Sequence, residues 1–322
     1  MTTKPFKPAW WSRNPHLQTL WPFLFKQGGS PAYRRERFVL PDNDFIDIDW
    51  LDTARGKPTV ILLHGLEGGS DSHYIRANSM LLAAAGLRVA VMHFRGCSGE
   101  LNRLPRGYHS GDTADLSQFV SELLTREPGT PIAAVGFSLG GNVLLKWCGE
   151  TGTGCPLAFA VAVSVPFDLM VAADSLDSGV SRLYQWWLVK SLKQTTLKKI
   201  DKGLLNYERE KIQRLNTFTE FDDMVTAPLH GFQGAMDYYR RCSSRPWLKH
   251  IKIPTLLLQA EDDPFLNKCG LPDASELSDT VMFELSGHGG HVGFVNAIPA
   301  NGRSGWLEAR ICDYALNRIK EN

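Results

Sequence analysis

Ser138 stands between Gly136 and Gly140 in a G-x-S-x-G pattern, and its flanks place it where that pattern has a mechanism. The apolar run 131–135 ahead of it reads as a short buried strand, and the run 141–147 behind it reads as the start of a helix. A serine on a sharp strand-to-helix turn is held in a strained backbone conformation, with its hydroxyl at the tip and a helix N-terminus behind it. The glycines follow from sterics, because side chains at 136 and 140 would collide across so tight a turn. A glycine-rich turn carrying an idle serine is the plain alternative, and the strand and helix on either side argue against it.

A serine hydroxyl at neutral pH is a poor nucleophile and needs a base to take its proton. The base in turn needs an acid that fixes its tautomer and stabilises its cation. Downstream, the apolar run 254–258 leads into Ala260, Glu261, Asp262 and Asp263, and the run 281–285 leads into Gly287, His288, Gly289, Gly290 and His291. Both clusters fall after strands, at the edge where open α/β sheets bind ligands, in the chain order serine, acid, histidine. Alone, the acids would be read as a solvated turn and the histidines as a glycine-rich loop; their joint placement behind Ser138 reverses that. The residues leave the acid open between Asp262 and Asp263, and the base between His288 and His291. No Cys or carboxylate at ligand spacing accompanies the two histidines, so no metal is expected.

The tetrahedral oxyanion of such a reaction needs preorganised N–H donors. The amide of Leu139, just after the nucleophile, is one candidate. The other is the amide of Leu66 in the loop 63–69, which reads Leu-His-Gly-Leu-Glu-Gly-Gly. His64 is expected to brace that loop rather than to react. The stretches 95–99 and 108–112, after a further strand, are expected to shape the pocket or brace the nucleophile loop, with bracing the favoured reading. Cys97 is a conceivable thiol nucleophile, but it has no flanking basic residue besides Arg95 and no inferred general base.

These groups need a frame. Runs 60–63, 89–92, 131–135, 157–165, 254–258 and 281–285 are short and continuously apolar, as in strands buried on both faces of a parallel sheet. Helical periodicity lies between them, over 74–85, over 113–126 with Leu116, Phe119, Val120, Leu123 and Leu124 on one face, and over 306–319. The alternation predicts a doubly wound, mostly parallel sheet. Ahead of it, 37–40 and 45–50 read as two strands around a polar turn, the second with one wet face carrying Asp47 and Asp49. Between about 167 and 250 the rhythm breaks into helical sequence containing Trp186, Trp187 and a lysine-rich run 190–202. An insertion that long predicts a helical cap over the strand ends, its lysines on a solvated face and its tryptophans turned to a pocket. The expectation is one α/β domain over 1–322, with a lead-in over 1–57 and the cap over about 167–250.

Composition narrows the function. The chain has 322 residues and a formal net charge of +1, so no global field argues for nucleic acid or an anionic partner. Its six cysteines lack C-x-x-C spacing, which fits a reducing compartment and a cytoplasmic protein. The N-terminus lacks the layout of a signal peptide, and the apolar piece 17–25 is too short to span a bilayer. Packing back on the core is the favoured reading of that piece; an interfacial lipid contact is the other.

The residues together resemble the α/β-hydrolase fold. The stretches 64–69, 93–99, 108–112, 136–142, 221–223, 262–265 and 289–294, with Asn14-Pro-His-Leu-Gln-Thr19, resemble its YheT-type branch over nearly the whole chain. That branch is related to abhydrolase-domain lipid esterases. The resemblance implies a serine carboxylesterase with nucleophile Ser138, acid Asp263 and base His291, without a cofactor or metal. Asn267 stands where many such enzymes have proline, four residues after the acid, which leaves Asp262 in competition. The expected function is cleavage of acyl or lipid-like small-molecule esters through an acyl-enzyme. Thioester hydrolysis or acyl transfer on the same triad, and a non-catalytic lipid-binding module, are the alternatives. Oligomeric state is not legible.

Overall fold

Six short apolar segments pair side by side to make the parallel part of one eight-stranded sheet. The computed structural model of the chain describes residues 4–25, 29, 31–52, 56–296 and 305–321. After helix α1 (Pro15–Phe25) come β1 (Arg34–Val39), β2 (Phe45–Leu51), β3 (Thr59–Leu63), α2 (His73–Ala84), β4 (Arg88–Met92), α3 (Ala114–Arg126), β5 (Ile132–Phe137), α4 (Leu139–Thr151) and β6 (Ala160–Val163). Helical segments follow: α5 (Leu169–Leu176), α6 (Ser181–Asp201), α7 (Arg209–Arg214), α8 (Phe218–Phe221), α9 (Ala227–Leu229) and α10 (Ala235–Cys242). A π-helical turn, Asp222–Thr226, joins α8 to α9. The chain ends with β7 (Thr255–Ala260), β8 (Val281–Ser286) and α11 (Trp306–Glu321). The strand order is β1-β2-β4-β3-β5-β6-β7-β8, antiparallel at β1–β2 and β2–β4 and parallel from β4 to β8.

Alternation within the central strands divides the core. Val60 and Leu62 of β3 join the cluster under α2 and α11, while Ile61 and Leu63 join the one under α3 and α4. Each fully buried side chain of this size contributes about 2 kcal/mol of transfer free energy, so a one-residue slip of register would be strongly unfavourable. Helix α3 buries Leu116, Phe119, Val120 and Leu123 as its periodicity predicts, but Leu124 lies outside that stripe and is exposed.

The acidic face of β2 is not wet. Asp47 and Asp49 are both buried. Arg37 donates to Asp47 at 2.9 Å and Arg35 to Asp49 at 2.7 Å, from the neighbouring β1. Ser98, Ser70 and His93 supply further contacts at 2.7, 2.6 and 2.8 Å. Burial alone would raise the Asp49 carboxyl, but the bonds from Arg35, His93 and Ser70 hold it well below the usual range. Arg95 is a brace of the same kind: buried, it donates to Asp115 and Asp42, each at 2.7 Å.

The lysine run is a solvated face with two exceptions, of which Lys193 is half-buried and donates to the carbonyls of Gln213 and Leu215 at 3.0 and 2.7 Å. Lys199 is buried and donates to the carbonyls of Leu104, Pro105 and Arg106 at 3.0–3.2 Å, fastening α6 to that loop. Burial draws its ammonium down to about 8.

Candidate active site

The turn after β5 is as tight as its glycines suggest. Ser138 has φ 52°, in the left-handed region, and its N–H donates to Val163 at 2.8 Å. A Cβ at Gly136 would sit 2.5 Å from the Gly140 carbonyl oxygen, and one at Gly140 would sit 2.5 Å from that of His64. No side chain fits at either place, and the strain at Ser138 is fixed by its surroundings.

The candidate acid and base arrive from the ends of β7 and β8. Asp263 is buried three residues beyond β7, where Oδ1 accepts the N–H of Phe265 at 2.9 Å and Oδ2 accepts Gln259 Nε2 at 3.2 Å. His291 Nδ1 lies 2.9 and 3.1 Å from the two Asp263 oxygens, and its Nε2 lies 2.9 Å from Ser138 Oγ. A carboxylate can only accept, so Nδ1 carries the proton and Nε2 is left to accept from the serine hydroxyl. Ser138, His291 and Asp263 thus form one continuous hydrogen-bonded chain.

The two neighbours left open by the sequence form a separate pair. Asp262 turns away, accepts the Gly290 N–H at 2.9 Å and lies 3.1 Å from His288 Nδ1. It therefore holds the histidine loop from below, and His288 pairs with a carboxylate rather than with solvent alone.

Four further residues position these groups; Thr19 and Phe265 lie in stretches that carry the family resemblance, whereas Ser164 and Gln259 had no signal in the sequence. Thr19 Oγ1 on α1 accepts the His291 N–H at 2.9 Å. Ser164 Oγ accepts the next amide, Val292 N–H, at 2.9 Å. The Phe265 ring stacks on the His291 imidazole with centroids 3.9 Å apart and planes 4° from parallel. Gln259 touches Asp263 with its amide nitrogen and accepts the Val165 N–H with its oxygen at 2.9 Å. The fit between α1 and the histidine loop is close. A Cβ at Gly293 would lie 2.0 Å from the Gln18 carbonyl oxygen, and one at Gly290 would lie 2.6 Å from that of Pro15. The motif 14–19 is thus a clamp on the His291 loop.

The oxyanion candidates Leu66 and Leu139 line the same cavity as Ser138. In the loop after β3, the Gly65 N–H donates to Tyr74 Oη at 2.9 Å and the Glu67 N–H to Tyr108 Oη at 2.7 Å. Among the described residues the Leu66 amide between them donates to nothing, and neither does the Leu139 amide at the first turn of α4. His64 braces the loop: its Nδ1 lies 2.7 Å from the Gly65 oxygen and its Nε2 accepts the Phe94 N–H at 3.2 Å. Burial, with His93 nearby, pushes His64 down to about 3, so it stays neutral. Glu67 ties the loop outward, accepting from Tyr108 Oη at 3.0 Å and from Thr195 Oγ1 of α6 at 2.7 Å. Cys97 is no rival nucleophile, since burial raises its thiol well above the ordinary value and depletes the thiolate.

Above Ser138 and His291 lies a cavity of about 1010 Å³. Leu169, Ala173, Leu176, Leu188 and Phe218 line its far wall, and Leu20, Phe23 and Leu24 of α1 line its near side. Trp187 lines it too. Trp186 does not; it points outward with the Lys190 ammonium 4.9 Å over its ring. Among the described residues, no group of three His, Cys, Asp or Glu is arranged to hold a metal ion.

This geometry has relatives. The family described as alpha/beta hydrolase fold matches residues 58–297. The chain belongs to the α/β-hydrolase fold family. It is 40% identical over 312 residues to YheT of Escherichia coli strain K12, whose name gives esterase as a proposed activity; the match covers 95% of this chain and 92% of that one. It is 30% identical to phospholipase ABHD3 of Mus musculus over 92% of this chain and 75% of the relative. In fold this α/β hydrolase is similar to the Pyrococcus furiosus esterase Pf2001, with a TM-score of 0.58 at 17% identity, covering 100% of this chain and 98% of that one. Among the described residues, no helix is long and apolar enough to cross a membrane.

Proposed function

We propose that this α/β hydrolase is a serine carboxylesterase that cleaves acyl or lipid-like esters through an acyl-enzyme. The observation that carries the reading is the unbroken chain from Ser138 Oγ through His291 to the buried Asp263, opening on an apolar cavity. His291 Nε2 takes the Ser138 proton as Oγ attacks the ester carbonyl. The carbonyl oxygen, now anionic, is held by the Leu66 and Leu139 amides, whose dipoles are already fixed before the charge appears. Asp263 stabilises the imidazolium and keeps the proton on Nδ1. Collapse breaks the C–O bond, and His291 returns the proton to the leaving alcohol. Water, deprotonated by the same nitrogen, then attacks the acyl-enzyme and frees the acid and Ser138.

The cavity argues for the substrate class. Its volume is at the upper end of small-molecule sites, and its walls on α5 and α6 are mostly apolar, aliphatic on α5 and aliphatic with aromatic Tyr184 and Trp187 on α6. A long acyl chain gains from such walls, whereas a charged metabolite would lose hydration there. The names of the YheT and ABHD3 relatives agree with an ester or lipid substrate.

Labelling with a fluorophosphonate tests the reading. The wild type is expected to gain one adduct, mapped to the peptide bearing Ser138, and Ser138→Ala to gain none. Label on another residue, or none on folded wild type, overturns it. Incubating an ester with an added alcohol separates hydrolysis from acyl transfer, with free acid as the expected product.

A further inference from the structure

The apolar residues that were expected to pack inward do so only in part. Helix α1 buries Gln18 and Pro22, while Leu17, Phe23, Leu24 and Phe25 are exposed, Phe25 by 60%. Helix α6 does the same on the opposite side of the cavity: Leu183 is 68% exposed, and Trp186 and Trp187 are more than half exposed. The two helices touch. The Phe23 and Trp187 rings meet edge to face at 5.5 Å, and His16 Nδ1 lies 3.1 Å from Tyr184 Oη. A row of rings continues outward, Trp11 on Trp21 at 4.6 Å and Trp21 on Phe25 at 4.3 Å. Phe23, Leu24, Leu183 and Trp187 are both exposed and part of the cavity wall, so the patch is continuous with the interior above Ser138.

An exposed apolar surface of this extent marks an interaction site. Its charge decides what it meets. The sequences of α1 and of 181–200 hold no carboxylate, yet Arg182, Lys190 and Lys198 are exposed along α6. None of the three makes an ion pair among the described residues, and Lys190 lies over Trp186. A basic rim on an aromatic face suits an anionic lipid interface, where rings sink to the acyl boundary and cations meet headgroups. A second copy of the chain would bring an identical basic rim against this one, which disfavours a symmetric dimer through the same face.

We propose that the α1–α6 face is a docking surface for anionic phospholipid interfaces, which seats the cavity mouth directly on the lipid. The proposal deepens the ester-hydrolase reading by saying where its substrate is met, and it rests on that reading only for the substrate. Binding itself needs no turnover.

Sedimentation with vesicles tests it, in the Ser138→Ala background so that the lipid stays intact. Vesicles of phosphatidylcholine with phosphatidylglycerol should carry the protein into the pellet, on the order of tenfold more tightly than phosphatidylcholine alone, and less as salt rises. Phe25 and Trp186 lie outside the cavity wall, so the double variant Phe25→Ser, Trp186→Ser on the wild-type chain should keep its hydrolysis of nitrophenyl acetate. Placed in the Ser138→Ala background, it should lose vesicle binding by roughly tenfold or more. Arg182→Glu with Lys190→Glu should abolish the preference for anionic vesicles. Failure of Ser138→Ala to bind either vesicle overturns the proposal, as does binding indifferent to all four substitutions. A dimer in light scattering that dissociates in the Phe25→Ser, Trp186→Ser variant would assign the face to a second copy instead. None of these outcomes depends on whether Ser138 is the nucleophile.

Discussion

Thr19 Oγ1 accepts the backbone N–H of His291 at 2.9 Å, across 272 positions of chain. The N-terminal helix therefore holds the proposed base from behind while Asp263 holds its ring. Thr19→Val removes the acceptor and leaves a part-buried amide without a partner, at a cost of about 1–3 kcal/mol. We expect kcat for a nitrophenyl ester to fall by roughly tenfold with KM little changed, and Thr19→Ser to restore it. An unchanged kcat in Thr19→Val would show that the loop needs no such clamp.

Asp263 and Asp262 are adjacent but hold different histidines. Asp263→Asn would favour the wrong His291 tautomer and withdraw the charge facing the imidazolium, lowering kcat by up to roughly 10⁴. Asp262→Asn should cost far less, since its partners are His288 and the Gly290 amide. Steady-state kinetics of the two variants should differ by about a hundredfold or more, with Asp263→Asn the slower. The opposite ranking would move the acid by one residue.

Glu67 joins the oxyanion loop to α6 through Tyr108 and Thr195. Its neighbour Leu66 supplies a proposed donor, so loosening Glu67 should misplace that amide more than it disturbs binding. Glu67→Ala is expected to lower kcat about tenfold or more, with a smaller change in KM. Glu67→Gln, which can still accept one of the two bonds, should fall between. A change in KM alone would assign Glu67 to substrate binding.

Much of this site was legible because local chain chemistry dictates it. The glycines around Ser138 are required by contacts within the turn and with the His64 loop, and the acid and histidine clusters follow strands with clear apolar runs. The residues alone left Asp262 and His288 open, and only the family resemblance chose Asp263 and His291. Thr19 and Phe265 lie in stretches that the resemblance marks, but their contacts with His291 are not legible there, and nothing in the local sequence marks Ser164 or Gln259. Alternation along β2 pointed to a solvated face, but Arg35 and Arg37 on the adjacent β1, themselves part-exposed, cover Asp49 and Asp47 and bury the carboxylates. Lys199 reads as one more lysine on a wet helix until the 104–106 carbonyls converge on it. In each case the deciding partner comes from another element.

Asp222 is buried at the far wall of the cavity, and burial raises its carboxyl from 3.8 to about 6 despite bonds from Thr226 and Tyr239. A pKa raised in the folded state means that the fold holds this proton more tightly than the unfolded chain does. The associated stability is complete below about 4 and is lost as pH rises through about 6, by about 3 kcal/mol in all. Asp222→Asn cannot ionise. Between pH 4 and pH 7 the wild type should therefore lose thermal stability relative to Asp222→Asn, measured by calorimetry. Parallel pH profiles for the two proteins would contradict this assignment.

The central claim is that Ser138 forms the acyl-enzyme, and the most direct measurement of it is hydrolysis of nitrophenyl octanoate by wild type and Ser138→Ala. The account predicts measurable turnover by the wild type and a loss of several orders of magnitude, about 10⁴ or more in kcat, in a variant that remains folded by circular dichroism. Turnover by Ser138→Ala within tenfold of the wild type would contradict it.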